Sequence, residues 1–396
     1  MKARRRFKRI LILAVVLMIA VTAAAVYKLN SIHAFIWLGD YVFNSPSFAE
    51  QDQIVDVIFF VPDHWEPGGD TDIVNAWMQD YRKLADKHVD ADGRKLQHSW
   101  YYPIDQFRGF EVDSLAQLCK EGYGDVDVHL HHRDDNSETL RKKLVDGLDS
   151  LQTHGVLNSP DGVDRWSFVH GNWALDNSRL ENNRNFCGVN DEISILLDLG
   201  CYADATFPSL NQLSQPSWVN KFGYAKDDPE MPKSYDDVEY SRVGLFTSPD
   251  QLLLLQGPMY IDWSDWRFKT HPTIEDGNLY WEIPTSIRRF ESWLKANIHV
   301  DGRPNWVFVR PFMHGAGLHS GGHENMLGRN IDEMLTEAEA RYNDGEKYRL
   351  HYMTTREVYN VVKAAEAGMD GNPNDYRDYV IKPMVYSHPD SLKEGL

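Results

Sequence analysis

DVDVHLHHRDD, residues 125–135, is the stretch that decides the fold. Val126, Val128 and Leu130 alternate along it, so they share one face of a strand, and Asp127, His129 and His131 share the other. His132 follows directly and two carboxylates close the run. Read this way, the segment is a buried strand whose C-terminal end carries three imidazoles.

Working outward, IVDVIFFV (54–61), HSWYYPI (98–104), RWSFVHG (165–171), CYADATF (201–207), QLLLLQG (251–257), WVFVRPFMHG (306–315) and YRLHYMT (348–354) also read as strands. Helical spacing lies between them near 73–88, 114–122, 137–153, 190–199, 284–296, 328–342 and 355–367, with Ser137 in a capping position. Strands alternating with helices predict an α/β fold with a mostly parallel sheet, and seven or eight of them predict a distorted barrel. Residues 208–250, rich in Pro, Asp, Ser and Asn, read as an excursion beside it.

Polar residues fall at one end of these strands. Asp63 and His64 follow the first strand in VPDHWEP, Asp105 follows the second, and His129, His131 and His132 end the third. His170 ends the fourth in FVHGNW, Asp204 the fifth, and His314 the strand WVFVRPFMHG. In a parallel barrel these ends share one face, where active sites are built. Two same-side imidazoles, His129 and His131, with Asp63 from a neighbouring strand make a donor set for Zn²⁺ or another divalent metal. His132 points the other way unless the strand has already ended. His170 and His314, each followed by a glycine, are general acid–base groups or further metal ligands. His319 and His323, in GLHSGGH (317–323), read as solvated loop histidines. Phosphate-loop and dinucleotide fingerprints are absent, as are GxSxG and HExxH, so neither nucleotide chemistry nor serine hydrolysis is predicted.

Charge and ends set the context. MKARRRFKR carries six positive charges and precedes an uncharged apolar run over residues 10–26. That pairing predicts a basic cytoplasmic tail (1–9), a transmembrane helix or signal anchor (10–28), a connector (29–50) and an exported domain (51–396) at the plasma membrane. Setting the tail's six positives aside takes the net charge from −18 to about −24, which argues against a nucleic-acid partner. Cys119, Cys187 and Cys201 form no CxxC pair and indicate neither a disulfide framework nor a thiolate zinc site.

The segments VPDHWEP, VHLHHRDDN, FVHGNWALDN, YADATFPS and YRLHYMTTREVYNVVKAAEAG resemble the polysaccharide deacetylase-like superfamily, which includes carbohydrate esterase family four. They look like a bacterial branch of it that is associated with exopolysaccharide genes. The resemblance spans roughly residues 54–380. It implies a distorted (β/α)7 barrel, a metal held by Asp63, His129 and His131 (or His132), and His314 as the late general acid. The base falls to Asp63, Glu66, Asp204 or a substrate-assisted route. The implied activity is metal-dependent removal of acetyl groups from a polysaccharide, with Trp65, Trp173 and Trp263 as sugar-stacking rings. Two other readings stand beside it. One is a glycoside hydrolase using Asp63 with Asp204 or Glu66, and the other is a catalytically silent glycan-binding scaffold of an export system.

Overall fold

A computed structural model describes residues 2–44, 46–265, 272–279, 283–316 and 322–386. Thirteen strands carry the architecture: β1 (Val55–Phe59), β2 (Pro62–His64), β3 (His98–Pro103), β4 (Gly124–Leu130), β5 (Trp166–His170), β6 (Cys201–Asp204), β7 (Phe222–Lys226), β8 (Val238–Tyr240), β9 (Gln251–Leu255), β10 (Asn278–Leu279), β11 (Trp306–Val309), β12 (Phe312–Met313) and β13 (Tyr348–Tyr352). Ten of them form one sheet in the order β8-β7-β9-β6-β5-β4-β3-β2-β12-β10, and β11-β1-β13 form a second. From β9 to β10 every neighbouring pair is parallel.

Two strands read as continuous in the sequence are broken. β1 stops at Phe59 and β2 opens on Pro62, while β11 stops at Val309 and β12 opens just after Pro311; proline, with no N–H to give to a ladder, fits a strand's start and not its middle. The lower halves pair in the small sheet and the upper halves, β2 and β12, in the large one. The excursion predicted for 208–250 is part of the sheet: β7 pairs antiparallel with both β9 and β8. Between that antiparallel end and β11 lies the segment 298–301, joined to each side by one isolated bridge, Arg242 with Asp301 and Ile298 with Phe308. Among the described residues the ladders form a large parallel-rich sheet, and no continuous ladder closes the expected seven-stranded barrel.

Helices cover both faces. α1 (Lys2–Ser31) and α2 (Ala34–Phe43) precede the sheet, and α3 (Thr71–Ala85), α4 (Gly109–Lys120), α5 (Ser137–Thr153) and α6 (Glu192–Asp198) cross between strands. α7 (Ile287–Lys295), α8 (Gly322–Met326), α9 (Arg329–Tyr342) and α10 (Thr355–Glu366) follow. Val74, Trp77, Met78, Tyr81 and Leu84 form the buried stripe of α3, which packs against Val57, Phe59 and Val61. Ile58 and Phe60, of opposite parity, face a separate core with Val358, Val361 and Val362 of α10. The cap of α5 is Asn136, not the expected Ser137: its side chain accepts from Thr139 N–H, and the Thr139 hydroxyl accepts from Asn136 N–H.

Arg4–Ser31 is long and apolar enough to cross a membrane, a property that signal sequences share. Within the expected connector, α2 buries Ala34 and Trp37 against Val219 and Met259. Asp40 accepts from Val219 N–H at 3.0 Å and pairs with Lys221 at 3.0 Å. Trp37→Ala is expected to cost α2 about 3–5 kcal/mol of docking energy. The readout is faster proteolysis within residues 44–50 of the full-length protein.

Candidate functional site

Period two carries through the break at Phe60–Val61. Asp63 therefore continues the face of Val57, Phe59 and Val61, and His64 the opposite one. The Asp63 carboxylate, fully buried, lies 2.9 Å from His98 Nε2 and accepts from Gly315 N–H at 2.6 Å. A Cβ on Gly315 would run into Asp63 and into Trp77 of α3. Asp63 thus faces the helix layer, and this corrects its expected place beside His129. Trp65, of the same parity, is buried with it and is no sugar platform.

His64 takes the position expected of Asp63. Its ring centroid is 4.8 Å from that of His129 and 4.5 Å from that of His314. Glu66, two residues on, reaches His129 Nε2 at 2.7 Å and His131 Nε2 at 3.3 Å. One nitrogen from each of His64 and His129 and a carboxylate oxygen of Glu66 all lie within 4.8 Å of one another. His129 Nδ1 sits 3.0 Å from the Val169 carbonyl, which fixes the ring so that Nε2 faces Glu66. On the other side, His131 Nδ1 lies 3.4 Å from Asp105. Glu66 and His131 keep 28% and 25% of their side chains exposed, so the group opens to solvent there.

Electrostatics follow from this geometry. Burial pushes the Glu66 carboxyl up, but hydrogen bonds from His129 and His131 outweigh it and hold the group well below the usual carboxylate range. Burial pulls His131 down, yet Asp105 and Glu66 together raise it to about 9. His64 is lowered well below an ordinary histidine, first by burial and then by His314 and His129. Trp173 stands over the group, 5.9 Å from the His64 ring and 5.7 Å from the His314 ring. Its backbone is left-handed at φ 49°, a conformation that costs a bulky residue about 1–3 kcal/mol.

The remaining predicted ligands belong elsewhere. β4 ends at Leu130, and His132 turns to the opposite side, where its Nε2 meets Glu192 of α6 at 3.0 Å. His170 joins His132 there, with ring centroids 4.5 Å apart. The expected single centre of Asp63, His129, His131, His132 and His170 is therefore divided in two, with Asp63 in neither half. The glycines after His170 and His314 leave room for the protein itself: a Cβ on Gly171 would strike the His131 ring. Trp263 is 67% exposed, and His323 pairs with Asp80 at 3.0 Å. His319 lies outside the described residues.

Asp204, a candidate base, turns away onto Thr206 and accepts from its N–H at 2.9 Å and its hydroxyl at 2.7 Å. Burial pushes this carboxyl up to about 7 against those bonds. The folded state then binds a proton that the unfolded state, with an aspartate near 3.9, has released, so stability falls as pH rises from about 4 to 7. Asp204→Asn is expected to reduce the fall in stability across that range by on the order of 4 kcal/mol in urea unfolding, with Asp127 and Asp176, which burial also raises, retaining their share.

Neither His64 nor Glu66 stood in the predicted ligand set, although unbroken period two from Val57 to Trp65 would have put both beside His129. Cys187 and Glu192 carry no local signal, because they reach their partners only through the fold.

No family profile and no curated protein matches this chain. The expected polysaccharide deacetylase-like superfamily is therefore not recovered by family comparison. Among solved structures, a GH57 branching enzyme from the hyperthermophilic archaeon Thermococcus kodakaraensis is similar over 75% of this chain and 73% of that one, with 10% identity and a TM-score of 0.34. A likeness that loose leaves function to be argued from the site's own chemistry.

Proposed function

We propose that this chain is a membrane-anchored, metal-dependent hydrolase that removes acyl groups from a glycan outside the cytoplasm. The reading rests on one observation: donor atoms of His64, Glu66 and His129 gather within 4.8 Å at the C-terminal edge of a parallel sheet, with one side open. Two imidazoles and a carboxylate with an open position are a donor set of catalytic zinc sites. The His129 Nδ1 contact with Val169 is the outer-shell hydrogen bond that orients a ligating imidazole. A divalent cation bound there would polarise an acyl carbonyl and acidify a water molecule.

The chain's own residues supply the rest. His314, beside His64, exchanges a proton with the departing amine or alkoxide. The Asp105–His131 pair supports Glu66 from behind. Trp173 presents a flat ring at the mouth, a surface suited to a sugar face.

A carboxylate-pair glycoside hydrolase is the second reading, favoured by the partial exposure of Glu66 and Asp105 on either side of His131. Its weakness is protonation. Such a pair needs one carboxyl raised to act as acid, and both of these are held low.

Full-length protein in detergent, stripped with chelator, is expected to lose acetate release from a panel of acetylated polysaccharides and to regain it with Zn²⁺ or another divalent ion. Chain cleavage that persists in chelator would support the glycoside hydrolase instead. Neither release in the metal-loaded protein would leave a binding module.

A further inference from the structure

We infer a second metal site, closed and structural, formed by His132, His170, Cys187 and Glu192. One donor atom from each lies within 4.8 Å of the others, and all four residues are buried. This site is independent of the proposed activity, which uses the open group at His64.

The spacing fits tetrahedral zinc. Bonds of about 2.0–2.3 Å place ligand atoms roughly 3.3–3.8 Å apart. Glu192 Oε1 is 3.0 Å from His132 Nε2 and 3.8 Å from His170 Nε2, and Glu192 Oε2 is 3.3 Å from Cys187 Sγ. The second observation is His170 itself. The Asn172 backbone N–H donates to its Nδ1 at 3.1 Å, which orients the ring so that Nε2 turns into the group, and that fully buried nitrogen has no hydrogen-bond partner. A buried polar atom left unmet costs about 1–3 kcal/mol. As a ligand, His170 would carry its proton at Nδ1, give up the Asn172 contact and offer the Nε2 lone pair to the cation. Charge balances as well. A thiolate from Cys187 and a carboxylate from Glu192 neutralise a divalent ion, the protons of Cys187 Sγ and of His132 Nε2, which faces Glu192, leaving for solvent, so no net charge is buried.

The four ligands also define what such a metal would do. His132 follows β4, His170 ends β5, Cys187 lies near the end of the crossing 171–191, and Glu192 opens α6. The metal therefore staples that crossing to the sheet at both ends. Trp173 rides on it, and the staple fixes this ring over His64 and His314. Asp176 N–H donates to Glu192 Oε2 at 2.6 Å and joins the middle of the crossing to the same group.

Cobalt separates this site from the open one, because only this one contains sulfur. Full-length protein loaded with Co²⁺ is expected to show a near-ultraviolet thiolate-to-cobalt band that persists in His64→Ala and is lost in Cys187→Ser. X-ray absorption at the zinc edge of His64→Ala loaded with Zn²⁺ is expected to show one sulfur at about 2.3 Å. Folded protein with no such band and no sulfur neighbour overturns the inference, as does a band that survives in folded Cys187→Ser. The His64→Ala spectra stand without Cys187→Ser, so misfolding of that variant leaves the test intact. Should the sulfur site fill while wild type and His64→Ala bind equal metal, the open centre fails and the closed one stands.

Discussion

Glu66→Gln is expected to lower acetate release by about 10³-fold, roughly 4 kcal/mol of transition-state stabilisation, and to weaken metal binding in the open centre. The substitution is nearly isosteric and falls on a partly exposed side chain, so it opens no cavity. What it removes is the charge. The Glu66 carboxylate is the acceptor shared by His129 Nε2 and His131 Nε2, and the one anion among the three residues whose donor atoms converge. A neutral amide there offers a weaker ligand and turns N–H groups towards two imidazoles. The check is kcat and bound metal measured together on protein with an unchanged circular dichroism spectrum. A rate within tenfold of wild type would remove Glu66 from the reaction.

Asp63→Ala is expected to behave in the opposite way: a loss of about 3–5 kcal/mol of stability, with the open centre still able to bind metal. Removal of this buried carboxylate strands His98 Nε2 and the Gly315 N–H in a region packed by Trp77, Tyr81 and Trp100. Buried donors without acceptors are what make such a change expensive. Asp63→Asn keeps one acceptor and should cost less. Urea unfolding of the full-length protein, followed by tryptophan signal, gives the midpoint shift. A variant of wild-type stability that no longer binds metal would return Asp63 to the ligand shell.

The contrast between Asp63 and Glu66 marks how far the sequence could be read. The strand-and-helix alternation was legible because both faces of the sheet are covered, which leaves long apolar runs such as IVDVIFFV. Side-chain parity on β4 was legible too: His129 and His131 do share a face, with ring centroids 4.6 Å apart. The same parity was available for VPDHWEP, yet its place at the end of a neighbouring strand, and then resemblance to a family motif, put Asp63 in the shell. His64 and Glu66 are the residues of that segment that turn towards His129. The antiparallel β7–β8 pair was missed because its turn-rich flanks hide two short strands. Cys187 and Glu192 lie 55 and 60 positions beyond His132, by residue number, and spacing over that distance carries no ligand signature.

The most direct test of the metal-centre account is anomalous diffraction at the zinc edge from crystals of the zinc-loaded protein. The account predicts a peak bounded by His64, Glu66 and His129, at bond distances of about 2.0–2.2 Å from each. No peak there in a fully loaded crystal, or one seated against Asp63, would contradict it.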